Sequence, residues 1–427
     1  MKNLRNDSAP HAPALLVAIL SLAVSLVACG SVTPDVAEDA LPCAIERIVV
    51  ENCQECHGAS PEYGAPMALT RASLFRERSV SSAAHSVGDM VLQRIASDTD
   101  PMPPPPRARL QQHQRDALAA WIHSGAPAGE SCSVQPPKPV VPTLACDVNV
   151  TAQPSEPFVV PAGAADRLVC YGVDLKNAAK RHVVGFAPRV DNAVVLHHAS
   201  LLLADAPLST TPQDCPDNAG MAAWRVVYGW APGAGAMELP DDVGFAADAG
   251  AQFVVQLHYV NTTDQPQADS SGFGLCSTDE LRSFDADIMA FGTHEISIPA
   301  HGKADVRCTV QVPPNGATTK LFSAFPHMHR LGQSMSTRVL AQGGAVDIGS
   351  VENWNFDYQS WQQIDHVLTP GEVVETKCAW KNPHSYGVGF GPSTDDEMCY
   401  SFVMYYPRIE DPSWHWLFPA LYSECGK

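Results

Sequence analysis

The second half of the chain carries histidines at spacings that suit metal binding. In the sequence FPHMHRLG, from Phe325 to Gly332, His327 and His329 are separated by a single residue. Side chains two positions apart on a β-strand project from the same face, so both imidazoles can bind one metal ion. Four further candidate ligands are His197, His198, His258 and Met398. Imidazole suits copper, zinc, iron or nickel and a thioether favours Cu(I), so the combination indicates copper.

Each of these histidines has a simpler structural explanation when it is considered alone. His258 lies in the apolar run from Gln252 to Tyr259, where a histidine can be hydrogen-bonded within the core. Neighbouring residues on a strand point to opposite faces, so His197 and His198 can share one ion only if the strand is locally twisted. The metal interpretation therefore depends on the whole set. Gln256 faces the same side of its strand as His258 and is a candidate to support the site.

A second motif, Cys53-Gln54-Glu55-Cys56-His57, lies near the N-terminus. A Cys-x-x-Cys-His sequence is the attachment site of c-type haem, in which Cys53 and Cys56 form thioether bonds and His57 is an axial iron ligand. The alternatives are a zinc site or a thioredoxin-like redox pair. Zinc would need a second Cys or His pair nearby, and a thioredoxin site would need a βαβ setting; neither is evident.

This segment resembles a small class I cytochrome c. The sequence from Asp100 to Pro104 is similar to the loop that delivers the sixth iron ligand in that family, which makes Met102 the expected ligand and Met67 the alternative. Apolar residues at helical spacing precede the haem motif, and the sequence from Leu110 to Ile122 is typical of an amphipathic helix. Cys43 and Cys132 flank the unit and are expected to pair across it.

The composition describes a secreted globular protein. Hydrophobic residues make up 45% of the 427 residues and charged residues 17%, as in a soluble globular protein. The net charge of −19 argues against nucleic acid and anionic lipid surfaces as partners, because either would require a basic face. Thirteen cysteines are typical of an oxidising compartment. Once Cys29, Cys53 and Cys56 are assigned to other roles, an even number remains, as a disulfide framework requires.

The N-terminus is typical of a secretory signal. Lys2 and Arg5 precede an apolar run from Ala14 to Ala28 that is too short to span a bilayer. The run ends in LVACG, which resembles a bacterial lipoprotein box with Cys29 as the lipid-bearing residue; the alternative is a plain signal peptide with a chance cysteine. We therefore expect a protein of the bacterial cell envelope, periplasmic or surface-facing and held at the outer membrane by its lipid anchor alone.

The remaining sequence predicts the domain organisation. From Cys146 onward, short alternating strands separated by Gly, Pro, Asn and Asp predict β-sandwiches, and about 280 residues suffice for two, joined near Phe284–Ala290. The predicted fold is mainly β, with two jelly-roll-type β-sandwiches after a small α-helical cytochrome c domain. The predicted segments are a signal peptide (1–28), a tether (29–40), the cytochrome domain (41–131), a proline-rich linker (132–144) and the two sandwiches (145–288 and 289–427).

Five stretches of this β-rich region resemble the copper type II, ascorbate-dependent monooxygenases. They occur in the family's order, and all six metal positions match. The stretches are Phe186–Arg189, Val195–His198, Gln256–Tyr259, His327–Gly332, and Asp396–Cys399 with the following Met404–Tyr406.

The resemblance implies two copper ions separated by a solvent-filled cleft. The electron-delivering copper would bind His197, His198 and His258. The oxygen-activating copper would bind His327, His329 and Met398 and would hydroxylate an activated C–H bond of a small molecule with O2 and two electrons. The resemblance also implies four disulfides, which are Cys146–Cys276, Cys170–Cys215, Cys308–Cys425 and Cys378–Cys399.

Two departures from the family bear on the substrate and the reductant. Peptide-amidating members carry an arginine and a tyrosine, which grip the carboxylate of the substrate, at the positions of Phe325 and Phe402. We therefore expect a smaller substrate, aromatic or otherwise apolar. The fused haem could replace ascorbate as the immediate electron donor, or serve only to dock a periplasmic electron carrier. The main alternative function is a non-catalytic electron-transfer or copper-binding lipoprotein.

Overall fold

The computed structural model describes most of the chain after the N-terminal segment. The described residues are 39–59, 61–62, 65–79, 82, 84–97, 101–103, 107–134, 143–164, 166–204, 206–216, 224–232, 234–312, 317–341, 343–356, 358–391, 393–410 and 417–426. The expected signal peptide, the lipidation site Cys29, most of the tether and the centre of the proline-rich linker lie outside these ranges. Within them, no helix is both long and apolar enough to cross a membrane.

The N-terminal part is helical and has its own small core. Its helices are α1 (Cys43–Asn52), α2 (Val87–Ala96) and α3 (Gln112–His123), with a short 3-10 helix at Ala72–Arg76. Ser86 caps α2 by accepting a hydrogen bond from the Asp89 backbone N–H, which satisfies one of the free donors at the helix start. The Phe75 ring meets the edge of Trp121 at 4.9 Å, which joins the 3-10 helix to α3.

The rest of the chain is mainly β. Among the described residues, the strands of its first half are β1 (Val150–Ala152), β2 (Phe158–Val160), β3 (Arg167–Asp174), β4 (Arg181–Arg189), β5 (Leu196–Ala204), β6 (Gln213–Asp214), β7 (Trp224–Trp230), β8 (Met237–Glu238), β9 (Val243–Ala247), β10 (Gln252–Tyr259), β11 (Gln267–Asp269), β12 (Gly272–Thr278) and β13 (Phe284–Gly292). The second half contains β14 (Ser297–Ile298), β15 (Lys303–Gln311), β16 (Thr319–Met328), β17 (Gly332–Ala341), β18 (Gly344–Val351), β19 (Gln362–Leu368), β20 (Val373–Lys381), β21 (Val388–Gly389), β22 (Cys399–Tyr406), the short helix α4 (Phe418–Leu421) and β23 (Glu424–Gly426).

Each half consists of two sheets packed face to face, as in a β-sandwich. One long sheet, in the order β1-β12-β4-β9-β13-β22-β16-β19 with β8 beside β4, contributes a layer to both halves. The second layer is β6-β3-β10-β5-β7 in the first half and β18-β17-β20-β15-β23 in the second. In the first half Phe245 of the long sheet and Leu257 of the small one belong to one buried cluster. In the second half Phe291 of the long sheet and Val374 of the small sheet belong to another buried cluster.

Strand β13 joins the two halves. It pairs in parallel with β9 of the first half and antiparallel with β22 of the second. The junction expected near Phe284–Ala290 therefore lies inside a strand, because the long sheet continues from one sandwich into the next.

Five disulfides fix the strands and the helical part. They join Cys43 to Cys132, Cys146 to Cys276, Cys170 to Cys215, Cys308 to Cys425, and Cys378 to Cys399. These are the pairs that the sequence led us to expect. Cross-links of this kind stabilise the fold by restricting the unfolded chain.

Candidate metal centres

Three histidines of the first sandwich converge on one point. The Nδ1 atoms of His197 and His198 are 3.1 Å apart, and each is 3.3 Å from Nδ1 of His258. Nitrogen ligands lie about 2.0 Å from a bound transition metal, so donors that share one ion are separated by roughly 3 Å. The three nitrogens therefore fit a single metal ion.

A strand irregularity brings the two neighbouring histidines together. On β10, His258 pairs with His198 but the next residue, Tyr259, pairs with Leu196, so His197 is an extra residue on β5. An inserted residue of this kind twists the strand locally and redirects its side chains. It supplies the twist that the sequence analysis required before His197 and His198 could share an ion.

Asp166 sets the orientation of His258. Its Oδ1 is 2.6 Å from Nε2 of His258, so Nε2–H donates to the carboxylate and Nδ1 is left free to bind a metal. The Thr394 hydroxyl, which belongs to the second sandwich, donates to the same carboxylate oxygen at 3.0 Å. Hydrogen bonding from His258 lowers the pKa of Asp166 to about 2, which keeps it ionised.

His327 and His329 form the start of a second site. His327 Nδ1 donates to Oε1 of Gln359 at 2.8 Å, and His329 Nδ1 donates to the Asp396 carbonyl at 3.1 Å. These bonds leave both Nε2 atoms available as ligands. The two ring centroids are 5.3 Å apart.

Met398 lies beside this histidine pair. Strand pairing sets Met328 opposite Cys399, so the residues just beyond that pair, His329 and Met398, are adjacent. Met398 directly precedes β22, which begins at Cys399. Met398 and both histidines line the same cavity.

A buried carboxylate organises the backbone around the second site. Glu397 is fully buried and accepts hydrogen bonds from the backbone N–H groups of His329, Leu331 and Met398 and from the Trp380 indole. Burial raises the pKa of Glu397 to about 7, although these four donors favour the ionised form. One side chain thus holds both His329 and Met398 in place.

Both sites open on one cavity of about 410 Å³. His198 of the first site and His327, His329 and Met398 of the second belong to its wall, as does Gln256. No Asp, Glu, Lys or Arg occurs among the described residues that line it. A buried phenylalanine, Phe356, lies between the two sites, and its ring contacts His197, His198 and His329.

The Cys-x-x-Cys-His motif lines a second cavity, of about 210 Å³. Neither Cys53 nor Cys56 forms a disulfide, and His57, Met67 and Met102 are part of the same wall. His57 Nδ1 donates to the Met67 carbonyl at 2.8 Å, which leaves its Nε2 free. Burial lowers the pKa of His57 and so favours the neutral imidazole that a metal requires.

Four further residues support these sites but were not predicted from the sequence, namely Asp166, Phe356, Gln359 and Glu397. Three of them lie outside any recognisable motif and reach the site only through tertiary packing. Glu397 could have been predicted from the sequence, because a carboxylate that directly precedes a candidate ligand and a buried strand must accept hydrogen bonds.

Two domain models of the copper type II ascorbate-dependent monooxygenases match the chain. The N-terminal domain matches residues 155–266 and the C-terminal domain residues 284–413, which together are more than half of the chain and include all six candidate ligands. The chain belongs to the copper type II ascorbate-dependent monooxygenase family.

Curated relatives agree with this assignment. Dopamine beta-hydroxylase of Equus caballus is 29% identical over 307 residues, which are 64% of this chain and 49% of the relative. Peptidyl-glycine alpha-amidating monooxygenase A of Xenopus laevis is 28% identical over 259 residues, 58% of this chain and 27% of the relative. The chain thus spans half or less of the length of these two relatives. A solved structure of the infectious bursal disease virus VP2 subviral particle covers 66% of this chain and 78% of its own at 8% identity, but its TM-score of 0.17 is too low to bear on the fold.

Replacing Asp166 by asparagine is expected to weaken copper binding at the first site. Loss of a carboxylate that orients a metal-binding histidine costs about 10- to 100-fold in affinity. Competition titration of the metal-free protein with a chelator measures the change. Asp214→Asn is the matched control, because Asp214 forms an exposed ion pair with Arg167. The copper affinity of this variant should equal that of the wild type. Equal affinity in Asp166→Asn would contradict the assignment.

Acid is expected to destabilise the metal-free protein through His329. Burial, reinforced by His327, lowers the pKa of His329 to about 3 from its ordinary 6.5. Between these values the unfolded chain binds more protons, so the free energy of unfolding falls as pH is lowered from about 6.5 towards 3, by on the order of 4 kcal/mol. The proton on Glu397 acts in the opposite direction between pH 4.5 and 7. Denaturant titrations across this pH range measure the free energy of unfolding of the wild type and of His329→Gln. Because both proteins contain Glu397, the difference between their two curves gives the contribution of His329. Parallel curves would refute the prediction.

Proposed function

We propose that the protein is a copper-dependent monooxygenase that hydroxylates an activated C–H bond of a small apolar substrate with O2. The observation that carries the proposal is that two ligand sets, one from each sandwich, open on a single cavity. When bound, two copper ions supply single-electron transfer and O2 activation. A thioether in the second set favours Cu(I), the state that reacts with O2.

The residues of this chain prepare the sites for that chemistry. Burial lowers the pKa of His198 and His258 as well as those of His327 and His329, so these imidazoles are neutral and ready to bind metal near pH 7. Asp166 and Gln359 orient their histidines through hydrogen bonds. The apolar wall limits water around the reacting atoms and holds substrate near the second site.

Aromatic side chains beside the second site favour an apolar, planar substrate. The Phe325 ring is stacked with His327 at 6.3 Å, and the Phe402 ring is 6.0 Å from the same imidazole. These two rings stand where peptide-amidating relatives carry a carboxylate-binding arginine and tyrosine. The absence of charged side chains from the described cavity wall also disfavours a glycine-extended peptide, whose carboxylate would be buried without a partner.

Oxygen uptake with product analysis tests the activity and the substrate class together. With copper-loaded protein and ascorbate, small benzylic compounds are expected to be hydroxylated, and peptides ending in glycine are not. Turnover of peptides alone would overturn the substrate class. Stoichiometric copper binding without any oxygen-dependent product would instead favour a non-catalytic electron-transfer or copper-binding lipoprotein.

We also propose that a c-type haem supplies the electrons. Cys53 and Cys56 would attach it, and His57 would bind its iron through the free Nε2. Met67 accepts the hydrogen bond from His57 and so lies on the histidine side of the cavity, which favours Met102 as the ligand on the opposite side. A periplasmic carrier would reduce the haem, whereas ascorbate would reduce either the haem or the copper ions directly. The lipid anchor at Cys29 would hold the protein in the bacterial cell envelope.

A further inference from the structure

One short segment separates the two cavities. Asn355 and Tyr358 line the cavity beside the Cys-x-x-Cys-His motif, whereas Phe356 and Gln359 line the cavity shared by the two copper sites. The Tyr358 N–H donates to the Asn355 carbonyl at 3.2 Å, so the side chains that line the two cavities belong to one turn. The turn is thus a direct covalent bridge between the proposed haem and the copper sites.

On the haem side, Tyr358 is fastened to the helical domain. Its hydroxyl is hydrogen-bonded to Arg107, which forms an ion pair with Glu55 of the haem motif itself. Burial raises the pKa of Tyr358, so the phenol remains protonated. The ring is therefore held at the cavity wall by a residue pair from the domain that would carry the haem.

On the copper side, Phe356 contacts ligands of both sites. Its ring is stacked on His197 with a centroid distance of 5.2 Å and an interplanar angle of 25°. The same ring is 5.8 Å from His198 and 5.9 Å from His329. Phe356 is only 6% exposed, so no layer of bulk water separates it from these imidazoles.

The neighbours of Phe356 are tied to the second site. The Trp354 indole donates to the His329 carbonyl at 2.9 Å, and Gln359 links the Phe356 carbonyl, at 2.9 Å, to Nδ1 of His327, at 2.8 Å. The position of the Phe356 ring is therefore fixed relative to both ligand sets.

We propose that Tyr358 and Phe356 form the path along which electrons pass from the haem to the copper held by His197, His198 and His258. In each passage ferrous haem becomes ferric and one cupric ion becomes cuprous; an external donor, ascorbate or a reduced carrier protein, then restores the haem, and two passages supply one hydroxylation. This inference rests on the proposed function. Tunnelling rates fall steeply with distance. Phe356 and Tyr358 are separated by one residue, so their α-carbons are at most about 7 Å apart and the route through them is short.

Flash reduction of the haem in the full chain, loaded with haem and copper and kept free of O2 and substrate, tests the path. Reoxidation of the haem, followed by its absorbance, reports the electron transfer without turnover. We expect Phe356→Leu and Tyr358→Leu each to slow this step by about tenfold or more. Tyr358→Phe keeps the ring and should keep the wild-type rate. Phe291→Leu is the matched control, because Phe291 is also buried in the second sandwich, in a cluster that does not include Phe356.

Copper paramagnetic resonance and haem absorbance verify that each variant retains both centres. Wild-type rates in both leucine variants would overturn the path. Slowing by Trp230→Leu alone would also overturn it, because Trp230 lines the copper cavity and Pro232 lines the haem cavity, so this segment is a second connection between them. If Phe356→Leu disturbs the copper signal, the rate of haem reoxidation in Tyr358→Leu still tests the path. Absence of transfer in loaded wild-type protein would instead refute the haem supply, and ascorbate-driven oxygen uptake would show whether the monooxygenase proposal survives.

Discussion

Replacing Met398 by leucine is expected to reduce oxygen-dependent hydroxylation by at least about 100-fold, since even loss of an outer residue that supports a ligand costs 10- to 100-fold. Leucine has a similar volume but no sulfur, so the second site would lose its soft ligand and its preference for Cu(I). The first site should keep its copper. Product formation and the copper resonance signal of the first site measure the two effects.

Met289→Leu is the matched control for this prediction. Met289 is buried in the cluster on the far side of the second sandwich, and the same substitution there should cost less than about 1.5 kcal/mol in stability. Its activity should equal that of the wild type. Full activity in Met398→Leu would mean that the thioether is not a ligand.

Replacing both Cys53 and Cys56 by serine is expected to abolish covalent haem attachment. Serine cannot form the thioether bonds, so the denatured protein should carry no haem by absorbance or mass. Turnover driven by a protein electron carrier should be lost, whereas turnover driven by ascorbate should persist at the copper sites. Haem that remains bound after denaturation would contradict the motif assignment.

A pair of methionine variants distinguishes the axial ligands. Met102→Leu should keep the covalent haem and lose the absorption feature of sulfur–iron ligation, whereas Met67→Leu should retain that feature. The reverse pattern would assign Met67, the alternative that the sequence left open. Both residues line the same cavity, so the two variants are closely matched.

The residues with characteristic chemistry could be predicted from the sequence. The Cys-x-x-Cys-His motif, the histidine pairs and Met398 are local patterns, and family resemblance linked positions such as His198 and His258 that are far apart in the chain. Alternating apolar residues likewise indicated strands such as β10, which spans Gln252–Tyr259 as expected. In these cases the physical constraint is contained in a few adjacent residues.

Residues that act through tertiary packing could not be predicted. Asp166 and Phe356 lie in segments without regular pairing, and their roles depend on how distant strands and loops meet. The arrangement of His197 and His198 depends on an extra, unpaired residue in β5, which no local sequence pattern predicts. A sheet register is set by contacts with partner strands, so its irregularities emerge only in the folded structure.

The shared strand β13 has a mechanical consequence. Residues 284–286 of β13 pair with β9 and residues 287–292 pair with β22, so one continuous strand anchors both lobes. Phe325 and Phe402 of the second lobe also belong to the same buried cluster as Leu257 of the first, and separating the lobes would expose these side chains to water. Wide opening during a catalytic cycle is therefore opposed, and substrate exchange is expected to proceed by small movements of loops and side chains at the rim of the cavity.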